Sequence, residues 1–81
     1  MSPYRKGTAR RLVQANLAFE SAQRNFGVGD PARREALSRR SDAYATHIRA
    51  MRFAEPDELA EVERWMAELR ATTCLPTPKE P

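Results

Sequence analysis

The stretch Gly27-Val28-Gly29-Asp30-Pro31 decides how this chain folds. Gly27 predicts the end of a helix, because glycine readily adopts the left-handed conformation that often follows a last helical turn. Asp30 is suited to cap the next helix, and Pro31 is suited to its first position. A connection this short makes the flanking helices antiparallel neighbours. The sequence therefore predicts a helical hairpin.

The first helix of the hairpin is predicted over about 8–26, after a loose lead-in at 1–7, with Thr8 as its N-cap. Small and large apolar residues recur there at spacings of three and four, which mark one face of a helix. These residues are Leu12, Ala15, Phe19, Ala22 and Phe26. Val13 and Leu17 lie off this face, so they need a second neighbouring element or stay exposed.

The second helix is predicted over about 31–53 and carries two parallel rows of residues. Its strongest apolar stripe consists of Leu37, Tyr44, Ile48 and Met51. Beside it lies an alanine ridge of Ala32, Ala36, Ala43, Ala50 and Ala54. Small side chains let two helices approach closely, so we expect the ridge to pack against alanines of the first helix. Alternatively, the alanines only reflect helix propensity.

A third, amphipathic helix is predicted over about 56–71, with Pro56 at its first position and acidic residues in its first turn. Its apolar face is Leu59, Val62, Trp65, Met66 and Leu69. The segment 72–81 contains three prolines and is predicted to be a flexible tail. The fold class is thus all-α: one small domain at 1–71, made of a hairpin and a third helix.

The charge is distributed unevenly along the chain. Residues 1–54 hold eleven Arg/Lys and four Asp/Glu, a balance of +7, whereas residues 55–81 hold three and seven, a balance of −4. Such asymmetry indicates a polyanionic partner or self-complementarity. Arg33 and Arg40 fall near the apolar sector of the second helix. We therefore predict that a cluster in this helix contacts an acidic partner: Arg33, Arg34, Arg39 and Arg40.

No constellation of catalytic residues is recognisable in the sequence. His47 is the only histidine and has no orienting carboxylate nearby, so it is predicted to be a boundary or surface residue, with a weak pH-sensing role at an interface as the alternative. Cys74 is the only cysteine, and no Cys/His cluster could hold a metal. We predict no enzyme activity, no catalytic residue, no metal or other cofactor, and no small-molecule substrate.

A chain of 81 residues has a small core, so self-association is expected. We predict a homodimer that forms through part of the third helix: Val62, Trp65, Met66 and Leu69. A lone cysteine, the absence of a signal peptide and the absence of a long apolar run predict a cytoplasmic protein with no membrane partner.

In size and shape the predicted hairpin is similar to three kinds of small helical protein, although it shares no motif with them. They are plasmid-type RNA-binding hairpin dimers, hairpin chaperones of secretion systems, and short phage proteins that inhibit a host factor. The leading hypothesis is a protein-binding module of bacterial or phage type that inhibits, adapts or chaperones its partner. The alternative is a basic hairpin that regulates RNA or DNA. A standard helix-turn-helix is disfavoured, because the third helix is acidic.

Overall fold

The computed structural model describes residues 2–72, so most of the predicted tail, including Cys74, lies outside the described residues. The described chain is three α-helices: α1 (Pro3–Asn25), α2 (Pro31–Ala50) and α3 (Pro56–Thr72). The prediction of an all-α fold, with a hairpin followed by a third helix, is confirmed. The ends of α2 and α3 differ from the predicted ends by three residues and one residue.

Each helix begins at a proline that follows a polar residue. In α1 the Ser2 hydroxyl accepts a hydrogen bond from the Tyr4 N–H at 3.2 Å. In α2 the Asp30 carboxylate accepts one from the Ala32 N–H at 2.8 Å, as predicted. Because proline has no N–H to satisfy and its fixed φ suits a first turn, each pair of residues starts a helix.

The prediction that α1 begins at Thr8 is wrong, because the helix begins five residues earlier, at Pro3. Gly7 lies inside the helix, and the Lys6 N–H already donates to the Ser2 carbonyl at 2.9 Å. The Thr8 hydroxyl instead donates to the Arg5 carbonyl at 3.0 Å. The Ser2-Pro3 pair supplies the cap that was assigned to Thr8.

The joint of the hairpin differs from the prediction at Gly27. No residue among 2–72 has a positive φ, so α1 does not end in a left-handed glycine. Phe26 is extended instead (φ −135°, ψ 148°), and its N–H donates to the Ala22 carbonyl at 2.9 Å. The Asp30 N–H then donates to the Gly27 carbonyl at 3.1 Å, which closes the turn into α2.

α1 lies between the other two helices and packs against both. No Cα atom of α2 lies within 8 Å of a Cα atom of α3. Val13 and Leu17, which needed a second neighbour, are only 4% and 7% exposed. At about 100° per residue they share a sector of α1 with Lys6 and Arg10, whose side chains lie over a ring of α3. The second neighbour is therefore α3, packed on α1 of the same chain.

One end of the bundle is held by a polar junction of all three helices. The Arg5 guanidinium donates to the Ala50 carbonyl at the end of α2 through Nε at 2.8 Å. Its Nη1 pairs with Glu58 Oε1 in α3 at 2.6 Å, and the Ser2 N–H donates to the other oxygen of that carboxylate. Near the opposite end Arg70 of α3 pairs with Glu20 of α1. These contacts show that α3 runs parallel to α1, while α2 runs antiparallel to it.

Candidate protein-binding surface

The large apolar side chains of α2 face solvent. Leu37, Tyr44 and Ile48 are 40%, 57% and 50% exposed, and they are the only large apolar residues in that helix. We call these three residues the α2 stripe. The buried residues of α2 are the small Ala43 and Ala50, together with His47. The helix therefore packs on α1 through its alanine ridge and presents its larger side chains outward.

The alanine ridge explains this orientation. Ala43 and Ala50 are buried, which agrees with the close-packing interpretation, whereas Ala32 is exposed. A helix with alanine on one face approaches its neighbour closely, and the neighbour then leaves no room for a leucine or tyrosine on that face. Tyr44, which belongs to the strongest apolar stripe of the sequence, therefore lies outside the core.

Basic residues border the α2 stripe on both sides. At about 100° per residue, Arg33 and Arg40 lie on the side nearer α1, and Arg34 lies on the outer side. The acidic residues of α2, Glu35 and Asp42, lie about 160–180° from Tyr44 on the opposite face. The stripe consequently has a border of positive charge only.

The predicted arginine cluster divides into two groups in the structure. Arg39 lies on the far face and pairs with Glu35 at 2.8 Å. The Arg40 guanidinium lies 4.4 Å from the centre of the Phe19 ring, and Arg33 donates weakly to the Phe26 carbonyl at 3.4 Å. Within residues 2–72 no carboxylate forms an ion pair with Arg33, Arg34 or Arg40. These three arginines keep their charge available beside the stripe.

A shallow groove of about 370 Å³ lies beside Tyr44, the middle residue of the α2 stripe. It is lined by Leu12, Asn16, Arg40, Ser41 and Tyr44. On the surface of α1, Leu12 and Asn16 fall between the residues that face α2 and the residues that face α3. The groove therefore lies on the α2 side of a wider open space, which has α1 as its floor and α2 and α3 as its two sides, and Tyr44 lies on the α2 side. We call this space the valley.

A larger groove of about 570 Å³ lies on the opposite side of the α1–α2 pair. Its apolar lining consists only of alanines, among them Ala15, Ala18 and Ala36, and its rims carry both acidic and basic residues. An alanine offers little apolar surface to a partner, so this groove provides no strong anchor.

The residues predicted for association in α3 contact their own chain. Val62 is 1% exposed, and Trp65, Met66 and Leu69 are partly buried. Lys6 Nζ and the Arg10 guanidinium lie 5.3 and 5.7 Å from the centre of the Trp65 ring. Their use in association stays a prediction, and it would require α3 to leave α1.

His47 lies in the α1–α2 interface and is only 9% exposed, so of the two predicted positions, boundary and surface, the surface position is wrong. Its Nδ1 is 3.3 Å from the Thr8 hydroxyl oxygen. Burial lowers the pKa of His47 below 6.5, because the interior disfavours the charged imidazolium. Among residues 2–72 no group of three or more His, Cys, Asp and Glu residues is arranged to hold a metal ion.

Comparison with known proteins gives no relative: no family model, no curated protein and no solved structure matches the chain. None of the three described helices combines the length and the apolar character that crossing a membrane requires. The functional interpretation therefore depends on the surface of the molecule itself.

Proposed function

We propose that the chain is a non-enzymatic helical module that binds a partner protein through the α2 stripe and modulates that partner. The observation that supports this proposal is the outward orientation of Leu37, Tyr44 and Ile48 in a helix whose buried residues are alanines and a histidine. Single exposed apolar residues are common, but a helix that exposes all of its large apolar residues on one side resembles an interface.

The energetic gain from covering the stripe is large enough to support binding. Burying one large apolar side chain completely contributes roughly 1.5–3 kcal/mol. Each of these three side chains is about half exposed, so a partner that covers all three gains on the order of 2–4 kcal/mol of binding free energy. Aromatic residues such as Tyr44 are frequent anchors of interfaces. Contacts to the surrounding arginines would add to this gain.

Homodimerisation remains part of the proposal only as a dimer in which the two copies exchange α3. Two α2 stripes facing each other would bring Arg33, Arg34 and Arg40 of both copies together, and like charges at an interface oppose association. A dimer through Val62, Trp65, Met66 and Leu69 would require exchange of α3 between copies. Sedimentation at micromolar concentration checks this point, and a well-folded monomer would exclude the dimer.

The function is tested by cross-linking followed by a binding measurement. A photoreactive amino acid at position 48 should capture a partner in an extract of the native organism, and mass spectrometry would identify it. The purified partner is then titrated against the wild-type chain and against the double variant Tyr44→Ser/Ile48→Ser. We expect this variant to bind at least about tenfold more weakly, because a loss of 1.4 kcal/mol is tenfold.

The matched control is Val28→Ser/Phe53→Ser, which removes two side chains that are 77% and 79% exposed outside the stripe. It should bind as the wild type does. Equal weakening by both variants, or by neither, would contradict the role of the stripe.

Nucleic-acid binding is the second candidate, and the unpaired arginines beside the exposed Tyr44 favour it. An RNA or DNA ligand would bind with an affinity that falls steeply as salt increases, because phosphate contacts release counterions. Titration of generic RNA and DNA at two salt concentrations, with the variant Arg33→Glu/Arg34→Glu beside the wild type, distinguishes the two candidates. Binding that is tight, salt-dependent and lost in the variant would favour nucleic acid.

A further inference from the structure

We infer that the valley binds an amphipathic helix with acidic flanks, supplied by the partner protein. This inference rests on the proposed function and specifies the partner's chemistry. The α2 stripe has the spacing of a helical contact, because Leu37, Tyr44 and Ile48 follow one another at intervals of seven and four. Such residues pack against apolar side chains of another helix at matching intervals.

The shape of the surface suits a helix. The valley lies above α1 and between two helices that do not pack on each other, and its groove is open along Leu12, Asn16 and Tyr44. A helix bound there would contact the stripe along its length, and it would be the third neighbour of α1 and the fourth helix of the bundle. An extended strand would find no free sheet edge, since the described chain contains no strand.

The charge of the surface selects an acidic helix. The stripe is bordered by Arg33 and Arg40 on one side and by Arg34 on the other, and no carboxylate among residues 2–72 neutralises them. A partner with glutamate or aspartate on both sides of its apolar face would place each carboxylate near a guanidinium. Complementary charge of this kind raises association rates and disfavours partners of the wrong sign.

A second copy of the chain does not fit this description. The basic α2 would repel another α2, and the acidic α3 has already buried Val62 of its apolar face against α1. The exposed side of α3 consists mostly of charged residues and alanines, such as Ala60, Arg64 and Ala67. Its one large apolar side chain that is clearly exposed is Leu59, at 40%, so α3 offers the stripe a single anchor and not a row of three. The occupant is therefore a segment of another protein.

The inference is tested with three fluorescent peptides that differ only in their flanking charge. Each is about 18 residues long, sufficient for a helix that is stabilised by docking, and carries leucines at intervals of three and four. The flanking positions are glutamate, glutamine or lysine. Fluorescence anisotropy with the full chain should show that the glutamate peptide binds at least about tenfold more tightly than the lysine peptide, and its affinity should fall with added salt.

Charge exchange makes the test specific for this surface. The variant Arg33→Glu/Arg34→Glu should reverse the preference and bind the lysine peptide more tightly. The control Arg24→Glu/Arg64→Glu changes the net charge equally at two exposed arginines outside the valley and should keep the wild-type order. Circular dichroism of all variants verifies that they fold. Tyr44→Ser/Ile48→Ser should weaken the binding of the glutamate peptide.

Four results would overturn the inference. Equal binding of the glutamate and glutamine peptides, lost in Tyr44→Ser/Ile48→Ser, would keep the stripe as a binding surface and exclude acidic selection. No binding of any peptide would exclude a helix in the valley, and the partner titration would still decide the proposed function. A dimer that is lost in Tyr44→Ser/Ile48→Ser would assign the stripe to a second copy. Tighter binding of single-stranded RNA than of the glutamate peptide, lost in Arg33→Glu/Arg34→Glu, would assign it to nucleic acid.

Discussion

Gly7 occupies a helical position at which a larger residue would fit. It lies inside α1, and apart from its chain neighbours and its own helix backbone no atom lies within 4 Å of where a Cβ would be. Glycine in a helix costs roughly 0.5–1 kcal/mol relative to alanine, since it loses more backbone entropy. Gly7→Ala should therefore raise the free energy of unfolding by about that amount.

Urea denaturation of wild type and Gly7→Ala measures this gain. The control is Gly29→Ala, which has equal space but lies in the turn between α1 and α2, outside any helix. The helical contribution is the difference between the two variants. A gain no larger at Gly7 than at Gly29 would mean that α1 begins later than Pro3, as the cap assigned to Thr8 implied.

His47 makes the stability of the hairpin depend on pH. Its pKa is lowered in the folded state by burial, so near pH 6 and below the unfolded state binds more protons than the folded state. The free energy of unfolding should therefore be highest above about pH 6.5 and should fall as the pH decreases below this value. Because carboxylates titrate mainly below about pH 5, the loss between pH 7.5 and 5.5 reports on the histidine.

Urea denaturation across this range is the measurement, and His47→Gln is the control, since glutamine has no titrating group. We expect the slope with pH to become smaller in this variant. An identical slope in both proteins would mean that His47 does not titrate differently in the folded and unfolded states.

The packing of α2 depends on the small size of its buried residues. Ala43 is 4% exposed, and a leucine there would have to displace atoms of α1. Overpacking of this kind costs about 1–3 kcal/mol. We expect Ala43→Leu to lower the thermal midpoint, whereas the control Ala45→Leu, at an exposed position of the same helix, should leave it nearly unchanged. Similar midpoints for the two variants would contradict the close approach of α1 and α2.

Local signals predicted the helices well, and tertiary orientation was harder to predict. The hairpin follows from Asp30-Pro31, where the cap and the first turn are properties of neighbouring residues. The predicted start of α1 is too late because a loose lead-in is expected over 1–7, where Gly7 disfavours a helix, although Ser2-Pro3 has the same form as the pair that starts α2.

The orientation of α2 could not be predicted from periodicity alone. Two rows of residues competed for the interface with α1, and the more hydrophobic row, with Leu37 and Tyr44, was the stronger signal. The structure places the alanine row at the interface, in agreement with the close-packing expectation, and that choice depends on the shape of α1. Arg33 and Arg40 beside the apolar row were the sequence signal that this side of the helix faces away from the core.

The whole molecule contains two separate interfaces that share α1. Ala43 belongs to the contact of α2 with α1, and Val62 belongs to the contact of α3 with α1. Mutations without shared partners usually add within about 0.3–0.5 kcal/mol. The double variant Ala43→Leu/Val62→Ala should therefore lose the sum of the two single losses, measured by urea denaturation in sucrose to keep all variants folded. A smaller or larger loss would show that α1 transmits strain between its two neighbours.

Because α2 and α3 do not pack on each other, the molecule can accept bound helices whose contacting side chains differ in size. The spacing of α2 and α3 is set by the packing of each helix on α1, by the short turn that joins them and, at the end near that turn, by the contacts of Arg5 with Ala50 and Glu58. A small rotation of α2 about this turn would widen the opening without breaking any α2–α3 packing, since packed helices can slide past each other over small distances. Partners with leucine or with bulkier phenylalanine at the contact would then be accepted by the same surface, and charge would distinguish among them more than size.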